Sequence, residues 1–168
     1  MVALALHKRP FDLLVVVFLL VHIPVTLFVD SQAVLPREWY PEPAVNLLDG
    51  YVKSLNDPLM KYTPPWFKSL AWLETVFQLP FFVAGSYAYA LGRPWIKTPA
   101  IIYGISTATT VVPCLAEVAA AALPLNNRLT LMAIYTPYLL IPALMAARML
   151  ISEEAFPQRQ RQFPKKRN

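Results

Sequence analysis

Apolar residues run almost unbroken through four stretches, Phe11 to Val29, Phe67 to Leu91, Pro99 to Leu123 and Leu129 to Ile151. Each is close to or longer than the roughly 20 residues with which an α-helix crosses a bilayer. The links LGRPWIKT and PLNNR are short, which favours antiparallel neighbours. The pattern therefore predicts an all-α membrane protein: a four-transmembrane-helix antiparallel bundle with spans at about 11–29, 67–91, 99–123 and 129–151. His7, Lys8 and Arg9 precede the first stretch as in a secretory leader. The apolar run is long for a leader, so it is expected to remain as a span.

Residues 30–66 form the long link, expected as a lumenal loop. Pro36, Pro41 and Pro43 break its first part, whereas VNLLDGYVKSLNDPLM reads as one or two short amphipathic helices with Leu47, Leu48, Tyr51, Val52 and Leu55 near one face. Trp39, Tyr40, Tyr62 and Trp66 suit headgroup depth, so the segment is expected against the top of the bundle or in the interface, where it could act as a lid. Proline recurs inside every span, at Pro24, Pro80, Pro113, Pro137 and Pro142. Such prolines predict kinked helices and either shape packing alone or widen the bundle around a ligand.

Composition agrees with lipid as the solvent. The 168 residues are 57% hydrophobic and 15% charged, with a mean hydropathy of +0.44, too few polar side chains to cover a soluble domain of this size. The net charge of +5 changes the picture only through its placement. Lys8, Arg9, Arg93, Lys97, Arg148, Arg159, Arg161, Lys165, Lys166 and Arg167 fall on one side, against Arg37, Lys53, Lys61, Lys68 and Arg128 on the other, so both termini are expected in the cytosol. Because the basic residues flank spans and form no groove with interleaved aromatics, nucleic acid is not an expected partner. One cysteine, Cys114, excludes an intrachain disulfide, and with only two histidines at different depths neither a metal site nor a cofactor is expected. The chain divides into a membrane domain, 1–151, and a tail, 152–168, that reads as polar and disordered.

The candidate chemistry is the polar set inside the spans. Glu74 lies near 10 Å below the non-cytosolic surface if Phe67 starts its span, and Gln78 is one turn deeper on the same face. Asp30 closes the first span on that side, His22 lies roughly 12 Å deeper, and Glu117 has a depth similar to that of Glu74. These groups could open onto one cavity. An unpaired charged carboxylate there costs several kcal/mol. With no Lys or Arg available to Glu74, the expected arrangement is two carboxyls sharing a proton and carrying about one negative charge, a complement to a cationic amine. Asp30 reads equally as a helix cap, and Gln78 and His22 equally as packing residues. Thr109 and Thr110 can bond their own helix carbonyls, Tyr135 and Tyr138 could line the cavity or only pack, and Glu117 suits a dimer contact as well as a pocket.

The stretches HIPVTLFVDSQAVLPREWYP (22–41), NDPLMKYTPPWFKS (56–69), ETVFQLPFF (74–82), WIKTPAIIYG (95–104) and RLTLMAIYTPYLLIP (128–142) resemble the receptor branch of the EXPERA family, which includes sterol isomerase relatives. The resemblance implies that Asp30, supported by Glu74, holds a ligand's basic amine. It implies a pocket of His22, Leu47, Tyr51, Met60, Gln78, Thr110, Ile134, Tyr135 and Tyr138, with Asp57 supporting the ligand directly or through the fold of its loop. It further implies a receptor for sterols and cationic amphiphiles in the endoplasmic reticulum membrane, with lysosomal and nuclear membranes as further locations. Homodimers, a role in cholesterol homeostasis and a lysosomal cholesterol transporter as partner belong to the same expectation. Independently, Lys165 and Lys166 stand at the fourth and third positions from the end, as in a dilysine retrieval signal. The branch's longer acidic link before the last span is shortened here to PLNNR, and Glu117 has no match. Sterol double-bond isomerisation is the enzymatic alternative, but acid and base are not separately identifiable, so binding without turnover is the expectation.

Overall fold

A computed structural model of the chain describes residues 3–158; the expected retrieval lysines, Lys165 and Lys166, lie outside the described residues. Pro10 sits in the first turn of helix α1 (Pro10–Phe28), where a missing N–H removes a donor that would have had no helical partner. The chain leaves α1 through a 3-10 turn, Asp30–Ala33. Side chains pair the carbonyls freed there: Ser31 Oγ donates to the Leu27 oxygen at 3.1 Å, and Gln32 Nε2 donates to those of Phe28 at 2.6 Å and Ala44 at 3.1 Å.

Where the sequence suggested a long loop, residues 30–66 are mostly helical. A 3-10 turn (Arg37–Trp39), α2 (Glu42–Leu55) and α3 (Pro58–Tyr62) form a cap over one end of the bundle, and no long loop is discernible. The cause is a one-sided apolar stripe: Ala44 and Leu48 are buried, with Tyr51 and Leu55 following at helical spacing.

The expected span at 67–91 is divided. Helix α4 (Pro65–Leu73), a five-residue π turn (Glu74–Gln78) and α5 (Leu79–Leu91) follow one another without a gap. Pro80 has no N–H for the carbonyl four residues back, and the register slips so that the Leu79 N–H bonds the oxygen of Glu74. Helices α6 (Lys97–Ala120) and α7 (Leu125–Ile151) complete the chain. Among the described residues three helical stretches are long and apolar enough to cross a membrane, Pro10–Ala33, Pro94–Ala120 and Leu125–Ile151, rather than the expected four. Proline lies inside α1, α6 and α7 at Pro24, Pro113, Pro137 and Pro142.

Helix α1 packs along α5, and α6 along α7. Gly104 permits the second pairing: a Cβ there would collide with the Pro142 carbonyl oxygen and lie 2.7 Å from the Ala146 Cβ. Gly92 ends α5 at φ 65°, which allows the Arg93 N–H to bond the Ala88 oxygen at 2.8 Å. The end of the bundle where Ala3 pairs with Gln158 is closely packed around Val15, Leu19, Phe82, Tyr89 and Met145. Below this core Asp12, 1% exposed, pairs with Arg9 at 2.9 Å and with Arg148. The start of the tail, expected to be disordered, is held here: Phe156 is 1% exposed beneath the Arg9 guanidinium, and Lys97 Nζ donates to the carbonyls of Ser152 and Glu153. A smaller cluster, Leu59, Cys114, Val118 and Leu131, fixes the cap to α6 and α7.

Candidate functional site

Between the helix pairs and under the cap lies a cavity of about 190 Å³ with mainly apolar walls. Ten of the eleven residues expected to hold a ligand line it: His22, Asp30, Tyr51, Met60, Glu74, Gln78, Thr110, Ile134, Tyr135 and Tyr138. Leu47 does not. It is 62% exposed on the outside of α2, because the inward stripe of that helix runs through Ala44 and Leu48. Glu117 is also turned outward, on the exposed face of α6, and Thr109 is exposed and bonds the Ile105 carbonyl of its own helix.

The acidic pair is assembled by two irregularities. The 3-10 turn after α1 brings Asp30 over the cavity, and the π turn presents Glu74 beside it, so the two carboxyls lie within hydrogen-bonding reach of each other. Thr26, fully buried one turn before Asp30, donates its hydroxyl to Glu74 Oε1 at 2.5 Å. That bond holds one oxygen of Glu74 against α1. Deeper in, Thr107 Oγ1 donates to Gln78 Oε1 at 3.2 Å, so the Gln78 amide has its NH₂ left for another acceptor.

His22 forms the floor on the α1 side and is 4% exposed. Its Nδ1 lies 2.8 Å from the Phe18 carbonyl oxygen; a carbonyl only accepts, so Nδ1 carries the proton and Nε2 is the acceptor of the ring. Phe18, Phe82 and Tyr138 surround the imidazole at ring-centre distances of 4.1, 5.2 and 4.5 Å. Of these rings Tyr138 lines the cavity, and with Tyr51, Tyr103 and Tyr135 it supplies aromatic surface that favours a cation.

Asp57 is absent from the lining but organises it. Fully buried, it caps α3 by accepting from the N–H groups of Leu59 at 2.9 Å and Met60 at 3.4 Å, while its other oxygen accepts from the hydroxyls of Tyr51 at 2.7 Å and Tyr135 at 2.9 Å. The Tyr51 phenol is pushed well above its ordinary pKa, by burial first and then by its bond to Asp57, so it stays a proton donor. One carboxylate thus joins α2, α3 and α7 above the cavity. Replacing Asp57 with asparagine removes the charge to which both tyrosines donate and is expected to destabilise the fold by about 1.5–3 kcal/mol. A lower thermal midpoint in detergent, with the Tyr51→Phe variant affected less, would be the reading.

Sequence reasoning missed Thr26, Tyr103, Thr107 and Cys114 as components of this region. The helical stripes were there to be read: His22 and Thr26 on α1 and Asp30 just beyond its end repeat every fourth residue, and Tyr103, Thr107, Thr110 and Cys114 follow one face of α6.

The arrangement is an acidic pair in an aromatic and aliphatic chamber, roofed by a short helical cap. The family model described as EXPERA (EXPanded EBP superfamily) matches residues 43–149, and the chain belongs to this family. The helical, apolar character of α1, α6 and α7 makes it a multi-pass membrane member. Sigma intracellular receptor 2 of Homo sapiens and that of Macaca fascicularis are each 45% identical over 158 residues, covering 86% of this chain and 90% of theirs. Sigma intracellular receptor 2 of Xenopus tropicalis is 43% identical over 141 residues, covering 78% of this chain and 82% of its own length.

Proposed function

We propose that the protein is an intracellular membrane receptor whose cavity binds sterols and cationic amphiphiles, with Asp30 as amine anchor and Glu74 as its support. The observation that carries this reading is the approach of the two carboxyls inside a mainly apolar chamber. Sharing one proton, the pair holds about one negative charge, enough to attract an ammonium group without two unpaired ions in a dry site. The aromatic rings then complete the cation's surroundings, and the aliphatic wall of Ile134, Val111 and Met60 accommodates an apolar body. A sterol without an amine would offer its hydroxyl to the same carboxyls, or to the NH₂ of Gln78.

Continuous helix from Pro65 to Leu91 supports counting α4, the π turn and α5 as a further span, giving four in all. The Lys and Arg bias then sets both termini in the cytosol and the cap in the lumen of the endoplasmic reticulum. A homodimer is supported by the outward face of α6, where Ala116 and Ala120 are exposed and small enough for close helix approach and Glu117 is exposed between them. We extend the proposal, on the family resemblance alone, to a role in cholesterol homeostasis with a lysosomal cholesterol transporter as partner.

A second reading, sterol double-bond isomerisation, draws on the same electrostatics, since a site that welcomes an ammonium also stabilises a carbocation. Native mass spectrometry of the purified protein separates these possibilities. A co-purifying sterol displaced by a cationic amphiphile, and recovered unchanged after incubation, is the expected outcome. A rearranged double bond would establish the enzyme, and a cavity that retains neither class of ligand would end the receptor reading.

A further inference from the structure

A second concavity lies on the outside of the bundle, in the seam between α1 and α7. It is a groove of about 360 Å³, almost wholly apolar, lined by Leu14, Val17 and Val21 from α1 and by Ala133, Pro137 and Ile141 from α7. Its inner wall is formed by His22, Ile134 and Tyr138, which also line the central cavity, so the two spaces share a partition.

The groove points toward a charge. Phe11 lies one turn before Leu14 on α1, and the Arg148 guanidinium sits over its ring at 5.5 Å. On α7, Ile141, Leu144 and Arg148 share a face at helical spacing, which puts Arg148 roughly 10 Å beyond the groove, in the last turn of α7. Arg148 belongs to a cluster with more positive than negative charge: two guanidiniums, those of Arg9 and Arg148, face the single carboxylate of Asp12. Arg9 is fully engaged, donating to Asp12 and to the carbonyls of Leu4, Tyr89 and Ala90. Arg148 is different. Asp12 is its one hydrogen-bonding partner among the described residues, and its side chain is 25% exposed. The uncompensated positive charge is therefore presented at the surface, at the foot of an acyl-sized apolar groove.

We propose that the α1–α7 seam is a binding site for an anionic phospholipid, with one acyl chain in the groove and the phosphate at Arg148. The charge excess selects an anionic headgroup, and the apolar groove holds it as a lipid rather than as a free ion. Because the chain's far end reaches His22, Ile134 and Tyr138, an occupied groove braces one wall of the central cavity.

The test is native mass spectrometry of the full chain in detergent, with phosphatidylglycerol and phosphatidylcholine of matched acyl chains. Phosphatidylglycerol is expected to be retained about fivefold more tightly, the factor one basic residue contributes near an anionic headgroup. Arg148→Gln should abolish that preference. Val17→Trp, which fills the groove from a half-exposed position and leaves the ion cluster untouched, should weaken phosphatidylglycerol binding without lowering the thermal midpoint. Equal retention of the two lipids would overturn the proposal. So would full phosphatidylglycerol binding by Val17→Trp, or complete displacement of the lipid by inorganic phosphate.

Discussion

The Asp30→Asn variant is expected to bind a cationic amphiphile roughly a hundredfold or more weakly than the native protein while keeping its fold. The magnitude follows from the setting. The amine leaves water for a chamber whose walls are mostly hydrocarbon, and without a negative partner its desolvation goes uncompensated. Asparagine keeps the size of the side chain and can still bond Glu74, so the variant should fold normally. A neutral isostere of the same ligand should lose little affinity, because its contacts with Ile134, Met60 and the aromatic rings are unchanged. Glu74→Gln is expected to do less harm to amine binding, since Asp30 then carries the negative charge alone and Thr26 retains an acceptor. Equilibrium binding of the two ligands to the three proteins reads all of these outcomes; equal losses for amine and isostere would point to a damaged cavity rather than a missing anchor.

The largest stability effect is expected at the opposite end of the bundle, at Asp12→Leu. This carboxylate is 1% exposed and is shared by two arginines, one of which, Arg9, is itself 4% exposed. Removing it leaves a buried guanidinium uncompensated, a loss of about 3–5 kcal/mol. For a chain of this length that corresponds to a fall of roughly 10 °C in thermal midpoint. The damage should spread along the contacts of Arg9, which joins the N-terminal segment at Leu4, the end of α5 at Tyr89 and Ala90, and the tail at Phe156. Faster proteolysis of the tail in this variant, compared with Asp57→Asn, would distinguish the two ends of the molecule.

Hydropathy located α1, α6 and α7, because lipid-facing and buried positions of a membrane helix are both apolar and the run continues through them. The π turn was not legible this way. Glu74, Thr75 and Gln78 look the same in hydropathy whether the helix turns every four residues or every five; Pro80 was the trace of the disturbance. The cap was legible as an amphipathic segment, but spacing could not decide which edge of the stripe faced inward, and Leu47 fell on the wrong side of that edge. For the site, depth along each helix pointed to Asp30, Glu74, Gln78 and His22, which line one cavity, but it pointed equally to Glu117, which faces outward. Bonds between helices, such as Thr26 to Glu74 and Thr107 to Gln78, depend on helix rotation and on the slipped register, neither of which appears in a linear pattern. Arg9 and Arg148 illustrate the same limit: as positive charges beside spans they report orientation, yet in the fold both converge on Asp12.

An experimental structure of the protein with a bound cationic amphiphile tests the central claim most directly. The ligand's amine nitrogen should lie about 2.7–2.9 Å from an Asp30 carboxylate oxygen, with Glu74 beside it and the apolar body inside the chamber. An amine directed away from both carboxyls, or a ligand seated in the outer groove with the chamber empty, would contradict it.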